Sequence, residues 1–131
     1  MNTLVRLAHC GGTTDRITYQ RNVGLLALGK SAADLLTLSF SADPAASDVA
    51  WAWLNPFSLV RPWLAGTMPL AICLSTLLFF SALVWNSVHR ARHVGWPHWL
   101  GLATALPFMG VALTIALSLV PGRKRSVWDI V

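Results

Sequence analysis

The chain has 131 residues, of which 55% are hydrophobic and 11% charged, with seven tryptophans and a formal charge of +5. Ordinary soluble domains carry roughly 25% charged residues, so the composition argues against a water-soluble globule, and the length suits one domain rather than two. The positive balance does not point to nucleic acid, because no basic stripe interleaved with aromatics lies on a predicted soluble element.

The N-terminal stretch through Cys10 predicts no cleaved signal. His9 stands where a small residue is needed, and no apolar h-region precedes it. Cys10 is in a polar stretch and Cys73 in an apolar run, so their expected depths differ and a disulfide is not expected. The first apolar run, 22–40, is interrupted only by Lys30 and Asp34 and predicts a helix near 21–41. Four apart, the two charges share a helical face and can pair. Either charge alone costs roughly 2.5 to 3.5 kcal/mol at mid-bilayer. Gly24, Gly29, Ala32 and Ala33 permit close helix approach. Two readings stay open for this run: a spanning helix with its pair turned toward neighbours, and an amphipathic helix lying flat at the interface.

Residues 41–66 hold Asp43-Pro44, Asn55-Pro56 and Arg61-Pro62, which are turn signals. Trp51, Trp53, Phe57 and Trp63 predict an interfacial segment within 50–64. The next run, 67–88, is 22 residues without a charge and reaches about 33 Å as a helix, enough for a hydrocarbon core of about 30 Å. A helix near 65–93 is expected. It should stop near His93 or Val94, because Gly95 and Pro97 follow and Pro97 pushes Trp96 out of the helical region. Arg90 and Arg92 then sit in its last turns, where cations favour the negative end of the helix dipole. The run 99–120 is again uncharged and predicts a third helix near 98–120, followed by Pro121-Gly122 and the basic tail 121–131. A buried helical hairpin in a soluble protein is the alternative for the two long runs, but they exceed normal soluble helices.

Orientation follows from where Lys and Arg fall. Three simple spans set Arg6, Arg16, Arg21, Arg90 and Arg92 against Arg61, Arg123, Lys124 and Arg125, five against four. A flat first helix gives seven against two. A last segment broken by Pro107 and Gly110 into a re-entrant hairpin gives eight against one. Charge thus leans away from three simple spans, whereas hydropathy favours them.

These residues resemble the "domain of unknown function 805" family of small bacterial inner-membrane proteins. Gly12, Asp15 and Arg16, with Thr18 and Tyr19, look like the family's segment before the first helix, although Thr13 replaces its usual arginine. The stretch from Val88 to Gly95 (His89, Arg90, Ala91, Arg92 and His93 among it) looks like the motif after the second helix. His89 there replaces an arginine and His93 an aspartate. Trp99 and Pro107 match later positions. The resemblance covers Gly12 to Arg125 and implies three spans in the bacterial inner membrane, with the N-terminus and the motif loop cytoplasmic. It transfers architecture and little chemistry.

His89 and His93 share a helical face with His98 nearby, a spacing able to hold zinc or copper; without a carboxylate or thiolate partner, the bland reading is helix capping and headgroup solvation, and no metal or other cofactor is expected. Lys30 and Asp34, extended by Asn86, could serve a proton or ion path; the alternative is a structural pair locking helices. Gly101 with Ala105, and Gly110 with Thr114, suit helix contacts within or between chains. No phosphate loop, nucleophile elbow or paired carboxylates is present, so no catalytic residue is assigned. The expectation is an all-α integral membrane bundle of three transmembrane helices and a short interfacial segment. It is non-enzymatic, binding partner helices, copies of itself or a cytoplasmic partner through the basic loop 89–98. A small homo-oligomeric transporter or channel and a holin-like permeabiliser are the other classes.

Overall fold

A computed structural model of the chain describes residues 14–40 and 46–122. Gly12, Cys10 and the basic tail 123–131 lie outside the described residues. Every element is helical, with no strand among the described residues. In chain order they are α1 (Arg16–Phe40), α2 (Ala46–Ala52), a 3-10 turn (Pro56–Leu59), α3 (Val60–Leu64), α4 (Leu70–Val94), α5 (Trp99–Leu102), a second 3-10 turn (Ala103–Ala105) and α6 (Met109–Leu119).

Helix α1 starts five residues before the expected 21, because its first turn is polar and begins at a cap rather than at the apolar run. The amide of Thr18 donates to Asp15 Oδ1 at 3.0 Å, satisfying one of the orphan donors of a helix N-terminus. Helix α4 starts at Leu70 rather than near 65. Pro69 precedes it in extended conformation and lacks the N–H a longer helix would need. It ends at Val94, and Gly95 closes it in left-handed conformation at φ 85°, which costs a residue without Cβ nothing. Both α1 and α4 have 25 residues and are long and apolar enough to cross a membrane.

The expected continuous helix over 98–120 does not form. Leu106 is extended (ψ 141°), as a residue before proline must be, and Phe108 turns the chain at φ 60°. The segment becomes a hairpin. Its first arm runs down α4, where Gly101 sits so close to Val88 that a Cβ would lie 2.5 Å from the Val88 Cα. At the tip the Phe108 amide donates to Leu54 O at 3.0 Å, and its ring meets Trp51 edge-on. Gly110 fits against the Thr104 carbonyl, where a Cβ would clash at 2.1 Å. Helix α6 then returns until Leu117 joins Tyr19 and Ala91 in a buried cluster. Both ends of 96–122 therefore lie at the same end of α4. Gly101 and Gly110 serve this internal packing.

A second cluster, Val49, Ala52, Leu59, Met68 and Ile72, closes the opposite end. There α2, the first 3-10 turn and α3 form the aromatic segment expected over 50–64, beginning at Ala46 instead. The Asn55 side chain accepts from the Phe57 amide at 3.1 Å and starts the turn. The outer faces stay apolar and uncovered: Leu25, Leu28, Leu35 and Leu36 on α1, Leu70, Leu74, Leu77 and Leu78 on α4, and Ile115 and Leu119 on α6. Gly24 and Gly29, expected to allow close helix approach, face open space instead.

Candidate functional site

Residues Ile72, Thr76, Phe79, Leu83, Ser87, Arg90 and Ala91 of α4 are buried, at the three- and four-residue spacing of one helical stripe. On α1 the buried residues are Tyr19, Lys30 and Asp34. The two helices run antiparallel and meet along a polar seam. The Tyr19 hydroxyl and Ser87 Oγ hydrogen-bond at 2.9 Å, and Asn22 donates to Asn86 Oδ1 at 2.9 Å. Farther along lies the ion pair, Lys30 Nζ to Asp34 Oδ2 at 2.7 Å, with side chains 1% and 6% exposed.

This pair is held from α4 and from the turn after α2. Lys30 donates to Thr76 Oγ1 at 3.0 Å, and Ser75 Oγ donates to Asp34 Oδ1 at 3.1 Å. The Trp53 ring stands 5.2 Å from the ammonium, within cation–π range, and itself packs at a tilt against Phe79. The spacing of Lys30 and Asp34 foretold the pair itself. Thr76, Ser75 and Trp53 carried no such signal, since hydroxyls and an interfacial tryptophan are common in any apolar run. Asn86 bonds Asn22 and the Ala82 carbonyl and so extends the seam.

The motif stretch 89–98 is mostly helix, and its cations part company. Arg90 is fully buried. Its Nε donates to Leu117 O at 3.0 Å, Nη2 to Val120 O and Nη1 to Thr14 O at 3.4 Å. The planar guanidinium thus caps carbonyls at the C-terminal end of α6 and ties them to the segment before α1, a use suited to its fork of donors. Arg90 was expected to serve the end of its own helix; it serves the end of another and is buried. The buried stripe of α4, continued by three residues from Ser87, points to position 90; that period was the available signal. Arg92 is exposed. His89 is buried with its ring against Trp85, centroids 4.9 Å apart. His93 lies under Gly122, where a Cβ would come within 2.3 Å of its Nε2. His98 and Trp99 are exposed. Among the described residues no three His, Cys, Asp or Glu side chains converge on a metal-sized site.

At the same end Asp15 and Arg16 are exposed, and Tyr19 is buried. The Thr18 hydroxyl and amide hold the Asp15 carboxyl below the ordinary carboxylate range, with His93 and Arg90 adding a smaller pull in the same direction. Two polar centres result, one mid-seam and one at the Arg90 end, each knitting three parts of the chain. No protein-family model, curated protein or solved structure matches the chain.

Proposed function

We propose that this is a small bacterial inner-membrane component with two spanning helices, α1 and α4, and a re-entrant hairpin over 96–122, acting without catalysis by binding other membrane helices or a cytoplasmic partner. One observation carries the reading. The most apolar windows of α1 and α4 are only 11% and 28% buried within the chain, whereas the core helix of a soluble protein would be mostly covered. Contiguous apolar surface of this extent marks a membrane or partner interface. Lipid and partner helices are what can cover it.

Charge supports the orientation. In this arrangement Arg6, Arg16, Arg21, Arg90, Arg92 and the tail's Arg123, Lys124 and Arg125 fall on one side and Arg61 on the other. Eight against one favours that side as cytoplasmic, in keeping with the resemblance to the "domain of unknown function 805" family. With Arg90 turned inward, a cytoplasmic partner would meet Arg16, Arg21, Arg92 and the tail. The test is twofold: the expressed protein should stay in the membrane pellet through alkaline extraction, and vesicles holding the pure protein should retain a trapped dye. A folded monomer in the detergent-free supernatant would overturn the membrane reading, and dye release would favour a permeabiliser.

A transporter or channel is the second reading, favoured by the buried Lys30–Asp34 pair, since ionisable groups at this depth are costly and often functional. So small a chain would need to oligomerise. Ion flux abolished by Lys30→Ala with Asp34→Ala would establish it; the absence of flux in the unaltered protein would exclude it.

A further inference from the structure

A groove of about 700 Å³ runs between the aromatic segment and α4, roofed by Phe57, Val60 and Trp63 and floored by Cys73, Thr76 and Ser81. Its α4 lining extends from Leu70 to Val84, about 21 Å at the helical rise. Spread over that length, this space for the centres of water-sized spheres is about 6 to 7 Å across, or about 9 Å between the walls themselves. A helix with its side chains needs about 10 to 12 Å, so neither a partner helix nor a helix of a second copy fits inside. An extended hydrocarbon chain does, since its carbons need only the contact distance of about 3.5 to 4 Å on each side. The length exceeds half of a hydrocarbon core about 30 Å thick, enough for one leaflet's acyl chain.

The flanking residues fit a phospholipid. Leu70, Leu74 and Leu77 line the groove and are also exposed on the outer face of α4, so the groove opens sideways onto the surface read above as lipid-facing. On α3, Arg61 lies in sequence between the lining residues Val60 and Trp63 without itself lining the groove; it is exposed and is the only lysine or arginine of 49–89. The guanidinium complements a lipid phosphate at the headgroup level that Trp63 marks. At the floor, Thr76 has its hydroxyl turned to Lys30, so the groove offers an acyl chain an apolar wall while the ammonium stays behind it.

We propose that this groove is a binding site for one phospholipid, its acyl chain lying along α4 from Leu70 to Val84 and its phosphate paired with Arg61. The site rests on the membrane reading.

The test uses the full chain with Cys10→Ser, leaving Cys73 as the groove's own reporter. Flotation with phosphatidylcholine–phosphatidylglycerol vesicles first checks the membrane reading; a protein that fails to float overturns that reading and the site with it. For protein that floats, native mass spectrometry from detergent should retain one phospholipid. Ser81→Trp, which fills the groove, should remove it. Arg61→Gln should weaken retention about fivefold, as expected for one cation near a lipid surface. Added short-chain phosphatidylglycerol should slow alkylation of Cys73 by an apolar maleimide, a measurement that stands even if Ser81→Trp misfolds. Equal retention by Ser81→Trp with unprotected Cys73 would mean annular lipid only and overturn the site. Cys73–Cys73 crosslinking at the groove would do so in favour of a second copy.

Discussion

Removing Lys30 alone would leave the Asp34 carboxylate buried without its counter-ion, and an uncompensated buried charge is what makes such lesions severe. Lys30→Met is expected to cost about 3 to 5 kcal/mol in detergent unfolding, and adding Asp34→Leu should restore most of that loss. If the single and double variants are equally unstable, the pair is not acting as a coupled unit. At Asp15 the sign of the pH effect follows from its depressed carboxyl. A carboxyl held below its unfolded value stabilises at neutral pH, and the contribution disappears as pH falls through the depressed value. Hydrogen exchange at the Thr18 and Tyr19 amides, corrected for intrinsic rate, should therefore accelerate in acid. Asp15→Asn, which keeps an acceptor and lacks the charge, should flatten that dependence.

At the scale of elements the hairpin over 96–122 depends on two close approaches and one strained residue. Gly101→Ala pushes a methyl into the Val88 backbone, which cannot yield like a side chain, and should cost about 1 to 3 kcal/mol. Gly24→Ala meets open space and should instead gain up to about 1 kcal/mol from helix propensity. Thermal midpoints in one detergent compare the two directly. Phe108→Ala and Phe108→Gly lose the same ring, yet only glycine removes the positive-φ penalty of about 1 to 2 kcal/mol. The glycine variant should be the more stable by that margin. Much of this level was legible in the sequence. The stop at Gly95 and the Lys30–Asp34 pairing followed from local spacing, and a break of the last segment at Pro107 and Gly110 was visible as one option beside three spans. Hydropathy pointed instead to one helix, because a proline inside an apolar run does not declare whether it kinks or reverses the chain. The inward turn of Arg90 was hidden because cations near a helix end usually face water. Its acceptors, 27 and 30 residues downstream and 76 upstream, are set by tertiary packing.

For the whole molecule, the arrangement puts the start of α1, the 95–98 turn and the exit at Gly122 at one end, with α2, α3 and the tip of the hairpin displaced from it. In a background of Cys10→Ser and Cys73→Ser, cysteines placed at His98 and Ser126 should react with an impermeant label from the same, cytoplasmic side. One at Gly66 should react from the other side only. Labelling of His98 and Ser126 from opposite sides would replace the hairpin with a third crossing.

The Arg90 clamp also bears on how such a chain is made. Two of its three acceptors, at Leu117 and Val120, emerge from the ribosome well after the guanidinium does, so during synthesis this arginine lacks most of its partners. The end of α4 must wait in water or headgroups until the final hairpin arrives, and assembly then finishes in one late step. Nascent chains halted before Leu117 should thus leave Arg90 open to solvent reagents, and chains released just beyond Val120 should abruptly protect it.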